Sequence, residues 1–392
     1  MIARLPTAAI PMTPDALNSL DSMEGVYTLP VVKREAKTGP EKAKPPAVSP
    51  VPGALLTLAI GAAAFGCHYL PFPPFQVQDG AAARHPISAA MIAIVLGIAV
   101  RNALDLPLTL VESARPWPRR LIPASIILTG VGLNLGVFYS VGLKALALVV
   151  LLILLATAAA IWLGQLVGIR KKTAILLGAG TAICGTSAIV AVAPLIEAGD
   201  DDLILSVTSV NLLGLALMFL LPLAGAGMHL SDQAFGLWAG TSIHAVPQVV
   251  AAGFAFSQPA GALATLIKLV RVAMLAPFIF GLALWHAKTS GGEKVTVHYS
   301  RLVPPFVWGF LGLAALNTAG LIPVVQFRFG SYALLPALTF ASEVLIALSM
   351  AAMGLEVNLV QFSRVGGKAA LVGLLASLVL CGLSLLLIHT MF

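Results

Sequence analysis

Residues 178–191 read GAGTAICGTSAIVA, and residues 238–251 read WAGTSIHAVPQVVA. Aligned without gaps, at an offset of sixty residues, they share Ala, Gly, Thr, Ile, Val and Ala. Each lies in an apolar stretch, yet each carries Gly, Thr or Pro where an ordinary spanning helix would run unbroken. A helix broken inside lipid leaves N–H and C=O groups unpaired. Such breaks persist only where protein, water or a solute meets those groups. Paired interruptions in corresponding positions are the best sequence pointer to the binding site of a membrane carrier.

The rest of the chain is a fitting frame for such segments. Of 392 residues, 59% are apolar and 10% charged, and the mean hydropathy is +0.97. Soluble domains carry roughly 25% charged residues, so a water-soluble protein of this length is excluded. Runs nearly free of charge recur at about the twenty residues that cross a bilayer. The composition predicts an all-α polytopic membrane protein, with the lipid bilayer as partner and no nucleic acid. Cys67, Cys184 and Cys381 fall in separate apolar segments without CxxC spacing, which indicates neither a disulfide framework nor a zinc site.

Residues 1–50 differ. They are rich in proline, including Pro40, Pro45, Pro46 and Pro50, with a mixed-charge run at Lys33, Arg34, Glu35 and Lys37. No apolar run followed by a cleavage site is present, so the segment reads as a flexible cytoplasmic tail and not a signal peptide. It carries six basic and five acidic residues, so the net +7 belongs mainly to the transmembrane domain, residues 53–392.

About eleven apolar segments follow, near 53–71, 86–104, 120–138, 141–167, 173–196, 203–225, 233–256, 260–286, 303–323, 331–354 and 368–391. Lys and Arg are retained on the cytoplasmic side of a membrane. Threading the spans puts four cationic loops on one face with the tail: Arg101 to Arg120, Arg170 to Lys172, Lys288 to Arg301, and Arg364 with Lys368. Two threadings pass this test. Segments 173–196 and 233–256 either cross, which makes the sixty-residue repeat parallel, or dip in and return as re-entrant hairpins, which makes it inverted. We favour the inverted arrangement, with the two copies facing each other from opposite sides. A weaker echo, Gly132-Leu133-Asn134-Leu135 against Gly354-Leu355-Glu356-Val357-Asn358, closes the third and tenth segments.

Ionisable residues inside apolar spans are expensive, so each is a functional hypothesis. Lys268 and Arg271 sit mid-run in ATLIKLVRVAMLAPFIF, three residues apart and therefore on one helical face. The sixty-residue offset pairs them with Thr208 and Asn211, so the first copy carries neutral polar groups there. The bland alternative is that both long side chains snorkel to the interface.

The motifs add what an anion needs. A half-helix N-terminus exposes N–H groups and partial positive charge. Thr181, Thr186, Ser187, Thr241 and Ser242 offer hydroxyls, and Gly180, Gly185 and Gly240 let a solute approach the backbone. With Cys184 and His244 at the motif centres, and Lys268 and Arg271 beside them, these residues make the expected substrate site for a small anion. Glu343, in ALLPALTFASEVLIALSMAAMGL, is a candidate carrier of a coupling proton, with an interface position as its alternative. His244 either titrates near neutral pH or serves as a hydrogen-bonded structural histidine. Asp200, Asp201 and Asp202 read as a solvated loop. Cys184 and Ser187 lack an accompanying base and orienting acid, and no P-loop, dinucleotide fingerprint or HExxH occurs. The chain is therefore expected to be no enzyme and to use neither cofactor nor metal.

At these residues the chain resembles the sulfate exporter family, the YeiH-type bacterial inner-membrane proteins. The resemblance is carried by HPISAAMIAIVLGIAVRN (85–102), GAGTAICGTSAIVAVAPLI (178–196), GLWAGTSIHAVPQVVAAG (236–253) and ATLIKLVRVAMLAPFIFG (264–281), and with their spacing it spans roughly residues 53–390. It implies a multi-pass protein of the bacterial inner (plasma) membrane, distantly similar to the cation/proton antiporter and anion transporter superfamily. In that superfamily inverted repeats bring interrupted helices together near the bilayer midplane. The sequence departs from the family after the motif histidine. Members carry Asp, Thr and Ala there; this chain has Ala245, Val246 and Pro247, so an acidic partner for a coupling proton or sodium ion is missing beside His244. The Pro-rich tail is also outside the shared region. The resulting expectation is a secondary transporter that exports a sulfate-like or sulfonate-like anion. A passive anion channel and a non-transporting anion sensor are the alternatives, and a homodimer is compatible with each.

Overall fold

Apolar sequence becomes helix along most of the chain. The computed structural model describes residues 49–72, 77–79, 82–84, 87–104, 106–133, 135–290, 305–322, 324–327, 330–357 and 367–392. The expected tail (its first 48 residues), Asn134, Lys294, Arg301, Asn358 and Arg364 lie outside them.

The helices are α1 (Val51–His68), α2 (Ala89–Ala103), α3 (Leu108–Ala114), α4 (Pro116–Thr129), α5 (Leu135–Val167), α6 (Lys171–Ala182), α7 (Thr186–Val192) and α8 (Asp200–Gly227). They continue with α9 (Asp232–Ser242), α10 (Val246–Phe256), α11 (Gln258–Ala273), α12 (Leu275–Ser290), α13 (Pro305–Thr318), α14 (Leu334–Glu356) and α15 (Gly367–Met391). A single 3-10 turn, Gly130–Gly132, follows α4. Two short antiparallel hairpins, β1 (Val77–Asp79) with β2 (Ala82–Arg84) and β3 (Val324–Phe327) with β4 (Gly330–Ala333), join α1 to α2 and α13 to α14. Among the described residues, six helical stretches are long and apolar enough to cross a membrane. Serine hydroxyls set several starts: Ser88, Ser231 and Ser257 accept from the third residue beyond them, satisfying an N–H that a helix start leaves unpaired.

The helices sort into two bundles. In the first, α1, α2, α3, α4, α13 and α14 pack mainly on one another; in the second, α5 to α11 pack with α15. Small residues let helix backbones touch where lipid supplies no hydrophobic drive. At the crossing of α2 and α14, a Cβ on Gly97 would meet the Ala351 carbonyl oxygen at 2.5 Å, and one on Gly354 would meet that of Ile94 at 2.5 Å. Contacts across the two bundles are sparse. Gln258 to Glu343 at 2.7 Å and Ser88 to the Ala251 carbonyl at 3.4 Å are polar links of this kind.

Both motif segments fold as helix–turn–helix hairpins. In the first, the start of α6 meets the residues after α7. Thr173 donates to Asp202 at 2.5 Å, Arg170 pairs with Asp202 at 3.5 Å, and Lys172 donates to the Glu197 carbonyl at 2.5 Å. In the second, Ser257 after α10 donates to Asp232 at the start of α9 at 2.7 Å, and the Phe235 and Phe256 rings stack with centroids 3.9 Å apart. Each hairpin then lies along the helix that follows it. Thr173 and Gly180 neighbour Ser206 and Val210 of α8, while Gly236 and Gly240 neighbour Leu263 and Ile267 of α11. The first hairpin starts beside the N-terminal end of α8, and the second beside its C-terminal end, where Gly225 meets Phe235. The Asp200–Asp202 expectation is corrected here. These residues form the first turn of α8, where acidic groups complement the helix dipole, and Asp202 is buried.

Candidate functional site

The turns of the two hairpins, Ile183–Gly185 and Ile243–Ala245, meet at one point inside the second bundle. Lys268 and Arg271, one turn apart on α11, join them. Lys268 Nζ donates to the carbonyls of Ile183 at 2.8 Å and Ile243 at 2.9 Å. Arg271 donates through Nε to Ala182 at 3.0 Å, through Nη2 to Thr181 at 2.8 Å, and through Nη1 to Gly240 at 3.1 Å and Ile243 at 3.2 Å. The last turn of any helix leaves carbonyls unpaired, and its end carries partial negative charge. The two cations therefore close the C-terminal ends of α6 and α9 together. Their exposures of 0% and 2% rule out snorkelling. Much of their hydrogen-bonding capacity goes to the protein itself.

Two of the motif glycines lie against neighbouring helices. A Cβ on Gly180 would strike Ile189 and Val210, and one on Gly240 would strike the Ala264 carbonyl and Ile267. Both serve helix packing. Gly185 turns the chain at φ +73°, a conformation that side chains rarely adopt.

His244 is buried, and its Nε2 lies 3.1 Å from Ser377 Oγ. Ser377 uses its hydroxyl proton on the Gly373 carbonyl at 2.8 Å. The network therefore assigns the proton of the ring to Nε2, with the serine accepting. Among the described residues, Nδ1 is left as a buried lone pair without a protein partner, and Thr181 Oγ1 is a buried hydroxyl without one. Thr186 donates to Asn211 at 3.0 Å. Thr241 donates within α9 and meets Ser384 at 2.6 Å, so its hydroxyl faces α15. Ser242 lies beside the Cys381 thiol. Cys184 and Ser187 are buried at the first turn, Cys184 near Arg271.

Glu343 is not part of this junction. It bonds Gln258 at the start of α11, ten residues before Lys268, which is about 15 Å along the helix at ~1.5 Å per residue. Conversely, sequence reasoning missed the face of α15 formed by Gly373, Ser377, Cys381 and Ser384, and also Gln248, whose side chain accepts from the Ala245 N–H at 3.2 Å. The available signal was the spacing of the small residues on α15, which puts all four on one helical face.

Comparison with known proteins places most of the membrane part in one group. A family model described as Conserved hypothetical protein 698 matches residues 52–373. The chain is 34% identical over 351 residues to a UPF0324 membrane protein of Brucella melitensis, covering 86% of this chain and 90% of that protein. It is 31% identical over 348 residues to one of Bradyrhizobium diazoefficiens, covering 86% and 92%. With one of Bacillus cereus the identity is 31% over 301 residues, covering 77% and 86%. No solved structure matches.

Proposed function

The chain belongs to the family described as Conserved hypothetical protein 698 and is a multi-pass protein of the bacterial inner membrane, and on that premise we propose that it is a secondary transporter exporting a small sulfate-like or sulfonate-like anion. The observation that carries the reading is Arg271, buried where two hairpin turns meet, with its hydrogen bonds on uncharged carbonyls. Two helix C-termini contribute roughly −0.5 each. Against the formal charges of Lys268 and Arg271 they leave about one positive charge, and the N-termini of α7 and α10 add to it. Buried charge is costly unless something meets it. A small anion does so, with the Thr181 hydroxyl as donor and His244 Nδ1 as acceptor for a hydrogen that the solute or a water carries.

In this reading the hairpins are re-entrant and the sixty-residue repeat is inverted. The cationic residues Arg170 to Lys172 put the mouth of the first hairpin on the cytoplasmic side, α8 crosses, and the second hairpin enters from outside. Alternating access then comes from the second bundle, which holds the junction, moving against the first.

The experiment is a panel of radiolabelled sulfate, thiosulfate, sulfite and taurine in proteoliposomes of the purified protein, with and without a pH gradient. Saturable counterflow is expected for at least one. Unsaturated, voltage-driven current supports a channel instead, and binding without flux a sensor. Because Lys268 and Arg271 also hold the turns, the site is tested at groups that do not. Thr181→Val and His244→Gln are expected to weaken anion affinity by about five-fold, the worth of one hydrogen bond. Unchanged affinity in both, with the fold intact, would remove the junction as the binding site.

A further inference from the structure

We propose that the seam between the two bundles holds a second site, for a hard monovalent metal cation, with Glu343 as its charged ligand. A small cleft opens there, lined by Leu128, Thr129 and Gly132 from the α4 end of the first bundle, Phe254 and Gln258 of α10 and α11, and Thr339, Ser342, Glu343 and Ile346 of α14. Its polar groups face it as acceptors. Thr129 donates its proton to the Ile126 carbonyl at 2.7 Å, Thr339 to that of Leu335 at 3.0 Å, and Ser342 to that of Ser125 at 3.0 Å. A hydroxyl whose single proton is engaged keeps only lone pairs for a ligand. Gln258 uses its Nε2 on Glu343 at 2.7 Å, which leaves its amide oxygen.

Among the described residues the cleft offers one carboxylate and four neutral oxygens, and no Lys, Arg or His lines it. An all-oxygen set selects a hard cation over zinc or copper. One carboxylate balances one positive charge, which suits a monovalent ion, since ligand charge sets the ion's valence.

The position gives the site a consequence. Glu343 belongs to α14 of the first bundle, and Gln258 opens α11, the helix whose Lys268 and Arg271 hold both hairpin turns. A cation bound there ties the bundles together about 15 Å along α11 from Lys268. Its occupancy then biases the same relative motion that exposes the anion, which is coupling by linkage. The binding of the cation stands alone; only the coupling rests on the transport reading above.

The test is scintillation-proximity binding of radiolabelled sodium to the full-length protein in detergent, with gluconate as the sole anion. Saturable binding, displaced by lithium and not by choline, is expected in the wild type. Glu343→Gln should abolish it. Thr129→Val, which removes one oxygen and keeps the shape and the carboxylate, should weaken it about ten-fold. Size-exclusion profiles identify any variant that fails to fold. No saturable sodium binding in the wild type, or equal binding in folded Glu343→Gln, overturns the proposal. With no transported anion in the assay, that failure leaves the junction untouched. Unchanged anion affinity in folded Thr181→Val and His244→Gln, with sodium binding intact, would strike the junction alone.

Discussion

The first hairpin turns through Gly185 at φ +73°, whereas the second turns through Ala245 at φ −94° and carries Pro247 in the first turn of its return helix. The helix after the first hairpin presents Asn211, which bonds Thr186; the helix after the second presents Lys268 and Arg271, which reach both turns. Two segments of related sequence thus follow the same path, but one set of charges closes both. The difference teaches that the backbone path of the repeat does not depend on a particular turn residue. Holding the turns together, by contrast, has been handed to one copy.

That asymmetry can be broken in graded steps. Arg271→Gln removes the donor shared by both turns and leaves buried carbonyls unpaired. We expect a loss of roughly 3–5 kcal/mol of stability, seen as aggregation or a collapsed melting transition in fluorescence-detected size-exclusion chromatography, whereas Asn211→Ala in the other copy should stay monodisperse. Gly185→Ala forces a side chain into a conformation nearly reserved for glycine and should cost about 1–3 kcal/mol; a melting temperature equal to wild type would show that the turn relaxes. Ser377→Ala strips His244 Nε2–H of its acceptor, at a cost of about 1–2 kcal/mol, and solution NMR of labelled histidine should report a changed tautomer population for His244. Ala245→Gly, the mirror of the Gly185 substitution, should cost only about 0.5 kcal/mol, because the backbone there is already extended. Thr181→Val should stay within about 0.5 kcal/mol of wild type in a thermal shift assay, since the hydroxyl it deletes has no partner among the described residues.

Much of the architecture was legible before the fold. The charge-poor runs predicted the spanning helices, and the sixty-residue repeat located both hairpins. The position of Lys268 and Arg271 marked them as buried. The direction of the hairpins was not legible, because a returning and a crossing segment have the same hydropathy. The partners of the two cations were hidden for another reason. Arg271 reaches Thr181 and Ala182 across ninety and eighty-nine residues, and backbone carbonyls carry no sequence signature. Ser377 and Ser384 on α15 passed as ordinary small residues of an apolar helix.

Sequence alone determined that this chain lives in lipid, that two of its segments break, and that two positive charges lie among apolar residues. Those facts follow from local chemistry, since hydropathy, glycine and proline act on their own stretch of backbone. Tertiary structure decided what the charges do and that Glu343 stands apart from them. Hydrogen bonds are directional and short, so only the packing of α11 between the two turns could choose carbonyl oxygens as partners for Lys268 and Arg271.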